Sequence, residues 1–178
     1  EISNDPHDPT NILIEGDNYH ALSVLNYTHN GQIDFIYIDP PYNTGAKDWK
    51  YNNAFVDATD PYRHSKWLSF MEKRLRLARN LLTDKGIICV TIDDYEMPRL
   101  WALMDEIFDE NNHLGTVVIR NNPKGRKTNR KVSLIHEYAI FYGKGINAKI
   151  LKLEIAPEDK THNYVQDKDG SWYLPGNL

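Results

Sequence analysis

Asp39-Pro40-Pro41-Tyr42, inside the run "FIYIDPPYNTG" (35–45), puts a carboxylate, two proline carbonyls and an aromatic ring next to one another. A carboxylate and a carbonyl are both acceptors, so their natural joint partner is an NH₂ group with two hydrogens to give. The neighbouring face of Tyr42 suits a planar ring bearing that amine. Accepting both hydrogens changes reactivity. An aryl amine's lone pair is delocalised into its ring, and acceptors at Asp39 and the Pro40 carbonyl favour a more tetrahedral nitrogen. They also stabilise the positive charge that develops when that nitrogen attacks an electrophile. Asp39 need not be a strong base for this. The plainer reading is a strand-ending turn with a structural aspartate.

The turn needs elements to hold it. Neither proline can donate to a sheet ladder, and each drives its predecessor toward extended geometry, so the strand 33–38 must stop with Asp39 at its tip. "NILIEG" (11–16) is a short apolar run of the same kind, followed by a helix for which Asp17 is the expected N-cap. After the turn, residues 46–64 show no period and read as a long loop. "SKWLSFMEKRLRLARNLL" repeats Leu68, Met71, Leu75, Ala78 and Leu82 at spacings of three and four, a one-faced helix, with Gly86 expected just past its end. "IICVTI" (87–92) is a third buried-type strand, Pro98 opens another helix, and "GTVVIR" and "EYAIFYG" are two more strands. Strand and helix alternation with continuous apolar strands implies an α/β fold, a parallel sheet covered on both faces. Ligands gather at the carboxyl ends of such strands, where Asp17, Asp39, Asp93 and Asp94 are all expected on one edge. Asp17 also reads as a plain cap, and Asp93 and Asp94 as caps of the following helix. Trp67, Trp101 and the helix-face methionines read as core, and His136-Glu137 as structural.

Composition narrows the function. The 178 residues are 40% hydrophobic, enough for a real core, with no apolar run approaching a membrane span, so no membrane partner is expected. The start "EISNDPHDPT" is no signal peptide and lacks an initiator Met, which hints at a fragment. Cys89 is the only cysteine, which excludes internal disulfides and cysteine-rich zinc sites and suits a reducing cytoplasm. A metal bound by Asp17, Asp39 and Asp93 would lack a histidine at ligand spacing, and no metal is expected. Net charge is −4, yet Asn111–His136 holds no acid and six bases: Arg120, Lys124, Arg126, Lys127, Arg130 and Lys131. That stretch is a candidate phosphate-contacting loop, against the reading of an ordinary solvated surface. The tail, with "KDGSWY" as a hairpin tip, reads as the start of something further.

"FIYIDPPYNTG", with "ILIEGDN" before it and "KWLSFMEKRL", "GIICVTIDD", "MDEIF" and "HEYAIFYGK" after it, resembles the amino-methyltransferases of DNA. It is most similar to the permuted beta class and, within it, the Mod subunit of type III restriction–modification systems. The resemblance covers residues 11 to 145 and implies a three-layer Rossmann-like methyltransferase sheet, mostly parallel. It implies methyl transfer from S-adenosylmethionine to the N6 amine of an adenine flipped out of double-stranded DNA. Asp39, Pro40 and Pro41 would belong to the amine site, Tyr42 would stack on the base, and Asp17 would contact the cofactor's adenine. Lys124, Arg126, Lys127, Arg130 and Lys131 become the expected DNA-contacting residues, with a homodimer and a restriction (Res) subunit as expected partners. The family's glycine-rich cofactor loop is not in this sequence. Residues 1–145 therefore read as the catalytic half of an incomplete sheet, and 146–178 as a linker or the start of the target-recognition region. Without the missing strands, the 34–38 strand should expose an unpaired edge, with self-association or displacement of residues 11–15 as the result. The alternatives are cytosine-N4 methylation, RNA amine methylation and a non-catalytic DNA-binding fragment.

Overall fold

The computed structural model describes residues 11–44, 59–121 and 135–151, together with short stretches at 165–166, 168 and 172–173. The chain runs α1 (Asn18–Thr28), β1 (Ile33–Ile38), α2 (Arg63–Leu81), β2 (Leu82–Ile92), α3 (Met97–Phe108), a 3₁₀ turn (Glu110–Asn112), β3 (His113–Arg120) and β4 (His136–Gly143). Four strands form one sheet in the order β1-β2-β4-β3. A separate antiparallel pair, β5 (Val165–Gln166) and β6 (Trp172–Tyr173), flanks the expected "KDGSWY" tip.

The α/β class holds, with a mixed sheet where a mostly parallel one was expected. β1 and β2 are parallel, joined through α2, whereas β4 runs antiparallel to both β2 and β3. The reason lies in the connection between the last two strands. They form a hairpin, and a hairpin can only pair antiparallel. Its second strand, not its first, docks beside β2.

Side chains on one face of the sheet, Ile36 and Ile38 of β1, Ile88, Val90 and Ile92 of β2, and Ile140 and Tyr142 of β4, meet α2 and α3 in a single core. Trp67, Met71, Leu75 and Ala78 supply the apolar stripe of α2, and Leu100, Met104, Ile107 and Phe108 that of α3. Trp101 packs at the margin of this core, with its ring 4.6 Å from that of His113. On the opposite face Phe35 and Tyr37 remain 54% and 59% exposed, and Val117 and Ile119 are exposed as well. The expectation of helices on both faces is therefore not met among the described residues, where α2 and α3 share one face.

Two local expectations change. Gly86 does not follow the end of α2. The helix stops at Leu81, Leu82 turns extended, and β2 begins there without a loop. Gly86 is needed for a close approach instead, since a Cβ there would lie 2.9 Å from the Ile33 carbonyl oxygen and 2.9 Å from the Leu82 side chain. The pairing of β1 with β2 shifts register at this point.

The apolar run 11–16 also forms no strand, and Leu13 is 96% exposed. β1 is an edge strand, and nothing among the described residues continues the sheet beyond it toward 11–15. An isolated apolar segment gains no ladder bonds, so it stays irregular. α1 is anchored to α2 rather than to the sheet: Asn26 Nδ2 donates to the Leu77 carbonyl at 3.2 Å and Arg74 Nε to Asn18 Oδ1 at 2.7 Å.

An open edge with an apolar outer face is a template for pairing. Residues 1–178 should therefore self-associate, and Tyr37→Lys should shift sedimentation equilibrium toward monomer. A wild-type chain that stays monomeric at high concentration would refute this.

Candidate active site

The site is built on the end of β1. Asp39 follows Ile38 directly, and the two prolines leave the next four residues without ladder bonds of their own, so the turn is fixed from outside. β2 holds its first residue, with Thr91 Oγ1 donating to Asp39 Oδ1 at 2.8 Å. From α2, Trp67 Nε1 donates to the Pro41 carbonyl at 2.7 Å. β4 reaches the tyrosine that follows, whose hydroxyl donates to Glu137 Oε2 at 3.4 Å. The start of α3 holds its end, where Asn43 Nδ2 donates to Glu96 Oε1 at 2.6 Å. Asn43 has φ +55° and is 1% exposed, the left-handed conformation that asparagine tolerates better than other side chains.

Trp67 takes the Pro41 carbonyl, and among the described residues no such bond takes the Pro40 carbonyl. Burial raises the Tyr42 phenol well above its ordinary value, and the Asp39 and Glu137 carboxylates add to the rise against a lowering by Thr91. The ring therefore stays neutral, which suits stacking on an aromatic base.

Of the four expected carboxylates, three share this edge. Asp39 ends β1, and Asp93 and Asp94 follow β2. Asp93 Oδ1 accepts from the Tyr95 amide at 2.9 Å and Asp93 O from the Met97 amide at 3.2 Å, so it shapes the turn before α3, whose N-cap is Glu96 rather than Asp93 or Asp94. Asp94 Oδ1 accepts from the Tyr138 hydroxyl at 2.9 Å. Asp17 caps α1 by accepting from the Tyr19 amide at 2.9 Å and lies 3.7 Å from Arg74. The segment before it is no strand of this sheet.

Lys124, Arg126, Lys127, Arg130 and Lys131 lie outside the described residues, but the two ends of their loop do not. β3 runs parallel to β2, so its last residue, Arg120, comes to the same edge as Asp39, and so does His136 at the start of β4. The Asn121 amide donates to the Ile135 carbonyl at 3.0 Å and closes the base of the loop. The Asn121 side chain also donates to Glu137. Glu137 and Glu96 had no place in the sequence-based site. For Glu137 the only signal in the sequence was a charge at the start of an apolar strand. For Glu96 it was a charge shortly after "IDD". No group of three or more His, Cys, Asp or Glu side chains suited to a metal occurs among the described residues.

Residues 33–174 match the family model described as DNA methylase. This chain belongs to that family. It is 39% identical over 173 residues to the type II methyltransferase M.KpnI of Klebsiella pneumoniae, a match that covers 96% of this chain and 41% of the relative. It is 32% identical over 200 residues to the Mod subunit of the type III restriction–modification enzyme EcoP15I of Escherichia coli, a match that covers 91% of this chain and 31% of the relative. The chain thus spans less than half of either relative. Among solved structures, the PvuII DNA methyltransferase (cytosine-N4-specific) superposes with a TM-score of 0.53 at 14% identity, covering 75% of this chain and 49% of that one. A putative DNA modification methylase of Thermus thermophilus, solved with S-adenosyl-L-methionine, gives 0.51 at 12% identity, covering 83% and 58%. These two support the fold of the DNA methylase sheet.

Tyr42 and Tyr142 carry a pH signature. Burial also raises the Tyr142 phenol, whose hydroxyl donates to Asp105. Both folded values lie above the ordinary phenol value of about 10. Their contribution is full below that pH and is lost as pH rises from there through the folded values, because only the unfolded chain ionises first. Urea midpoints should fall above about pH 10, and less steeply in Tyr142→Phe than in wild type. Parallel profiles for the two proteins would contradict it.

Proposed function

We propose that the whole protein carrying this chain methylates the N6 amine of an adenine flipped out of double-stranded DNA, as part of a restriction–modification system. The observation that carries this reading is the Asp39–Tyr42 turn at the end of β1, held by Thr91, Trp67 and Glu137, whose carboxylate, Pro40 carbonyl and Tyr42 ring are the groups an aromatic amine would need. Asp39 takes one N–H and Pro40 the other. As the nitrogen forms its new bond to carbon it becomes positively charged, and Asp39 stabilises that charge. One N–H proton then leaves along the hydrogen bond toward Asp39 and on to solvent. Tyr42 holds the base plane, and Trp67 fixes the turn beneath it through the Pro41 carbonyl.

S-adenosylmethionine is the methyl source this reading needs; when bound, it supplies an electrophilic methyl on a positively charged sulfur. Asp17 fits a contact to the polar part of its adenosine, because its carboxylate is 56% exposed and only one oxygen caps α1. The negative edge of Asp39, Asp93 and Asp94 fits the positive charge. M.KpnI and the EcoP15I Mod subunit, named respectively as a methyltransferase and as part of a restriction–modification enzyme, support the same assignment. Double-stranded DNA is then the substrate, with a second copy and a restriction subunit as partners and the cytoplasm as location. Among the described residues no helix is long and apolar enough to cross a membrane. Residues 1–145 would form the catalytic half and 146–178 the beginning of the target-recognition region.

Asp39→Ala in the whole protein should reduce transfer of a tritiated methyl group to DNA below about a tenth of the wild-type rate with folding intact. A larger residual rate removes Asp39 from the amine site. Tyr42→Ala should weaken binding of the flipped base by ~1–3 kcal/mol.

The loop between Arg120 and Ile135 yields a separate prediction. Replacing Lys124, Arg126 and Lys127 by Ala should flatten the dependence of log K on log salt by ~0.9 per lost phosphate contact. An unchanged slope would return the loop to a solvated surface.

A further inference from the structure

Glu96 is 0% exposed, the more deeply buried of the two buried acids among the described residues, with Asp93 at 5%. Burying a carboxylate is costly unless it is paired, so its partners indicate what it is for. Two donors converge on Oε1, Asn43 Nδ2 and His64 Nδ1, both at 2.6 Å. A carboxylate can only accept, so His64 presents its Nδ1–H. The other oxygen, Oε2, lies 3.5 Å from the Arg99 guanidinium. One side chain thus ties together the turn after β1, the first turn of α2 and the first turn of α3.

The backbone of Glu96 is itself fixed. Its carbonyl accepts from the amides of Arg99 at 3.0 Å and Leu100 at 2.8 Å, so it moves only if α3 moves. Asn43 is the residue with something to lose. Its left-handed φ of +55° is unfavourable for a side chain bearing a Cβ and must be held by a bond. That φ sets the direction in which the chain leaves Tyr42. We infer that Glu96 is a positioning residue which, through Asn43 and with His64 as second donor, holds the Asp39–Tyr42 turn in its amine-accepting geometry. The role in catalysis rests on the methyltransferase reading above; the control of the turn does not.

Paired short bonds to an ionised oxygen are stronger than those to a neutral amide oxygen, so loss of charge alone should loosen the turn. In the whole protein, with unmodified genomic DNA as substrate, Glu96→Gln should lower kcat at least tenfold. KM for S-adenosylmethionine and the affinity for DNA should stay within twofold. Asn43→Gly keeps the left-handed backbone accessible but removes the bond, and should give a loss of similar size. The double variant should be no worse than the worse single one, because both remove the same link. Thermal midpoints report whether the fold survives. Should Glu96→Gln unfold, Asn43→Gly carries the test alone.

Single variants within twofold of wild-type kcat, or losses that multiply in the double variant, would overturn the inference. So would an Asn43→Gly variant whose fall in kcat is fully matched by a fall in its folded fraction, which is what a purely structural link would give. A wild-type protein that transfers no methyl to DNA refutes the function instead. The control of the turn is then decided by the Asn43 side-chain amide signal in ¹⁵N NMR. It should be displaced and slow to exchange in wild type and solvent-like in Glu96→Gln, and an identical signal in both would overturn it.

Discussion

Two adjacent prolines end β1, and almost everything around the site can be understood as a response to them. A chain that leaves a sheet through Pro40-Pro41 has lost two backbone donors, so its next residues cannot be held by a ladder. They are held by side chains from four different elements: Thr91 of β2, Trp67 of α2, Glu96 at the start of α3 and Glu137 of β4. Each of these elements packs into or pairs with the same core, so the turn inherits the rigidity of the whole sheet. A flexible loop with the same residues would have to lose conformational entropy each time it bound an amine. Here most of that ordering is done when the protein folds.

The same logic explains which parts were legible in the sequence. Asp39 at a strand tip followed from the prolines alone, and the stripe of α2 from its spacing, because both rest on local geometry. Glu96 and Glu137 were not legible, because their partners lie 53 and 95 positions away and only the sheet order brings them together. Direction was hidden for a related reason. Apolar β3 and β4 read the same whether parallel or antiparallel, and the hairpin that decides between them is a matter of connection. Gly86 shows the converse error: a glycine after a helix reads as a cap, but here it admits the Ile33 carbonyl.

Residues 11–17 mark where local reading gives way to long-range pairing. "NILIEG" has the composition of a strand, but a strand exists only with a neighbour, and β1 leaves its outer edge free among the described residues. Asp17 then keeps only what local bonding supplies, the cap on α1 and the nearby Arg74. The exposed Phe35 and Tyr37 on the outer face follow the same pattern. The turn at Asp39–Tyr42 is supported by its neighbours in the sheet, whereas Asp17 has no sheet neighbour among the described residues.

The electrostatics of the edge impose a final condition on any DNA substrate. Asp39, Asp93, Asp94 and Glu137 concentrate negative charge where a polyanion must approach. Phosphates within a Debye length, ~8 Å at physiological salt, would be repelled by it. A basic segment far away on the surface could not offset this, since screening would uncouple the two. The acid-free stretch instead departs from Arg120 and returns at Ile135, both ends pinned at this edge by the Asn121–Ile135 bond. The Asn121 side chain also meets Glu137, which in turn accepts from Tyr42. The acidic edge and the ends of the acid-free stretch thus share one hydrogen-bonded base, an arrangement under which a net charge of −4 is compatible with a nucleic-acid substrate.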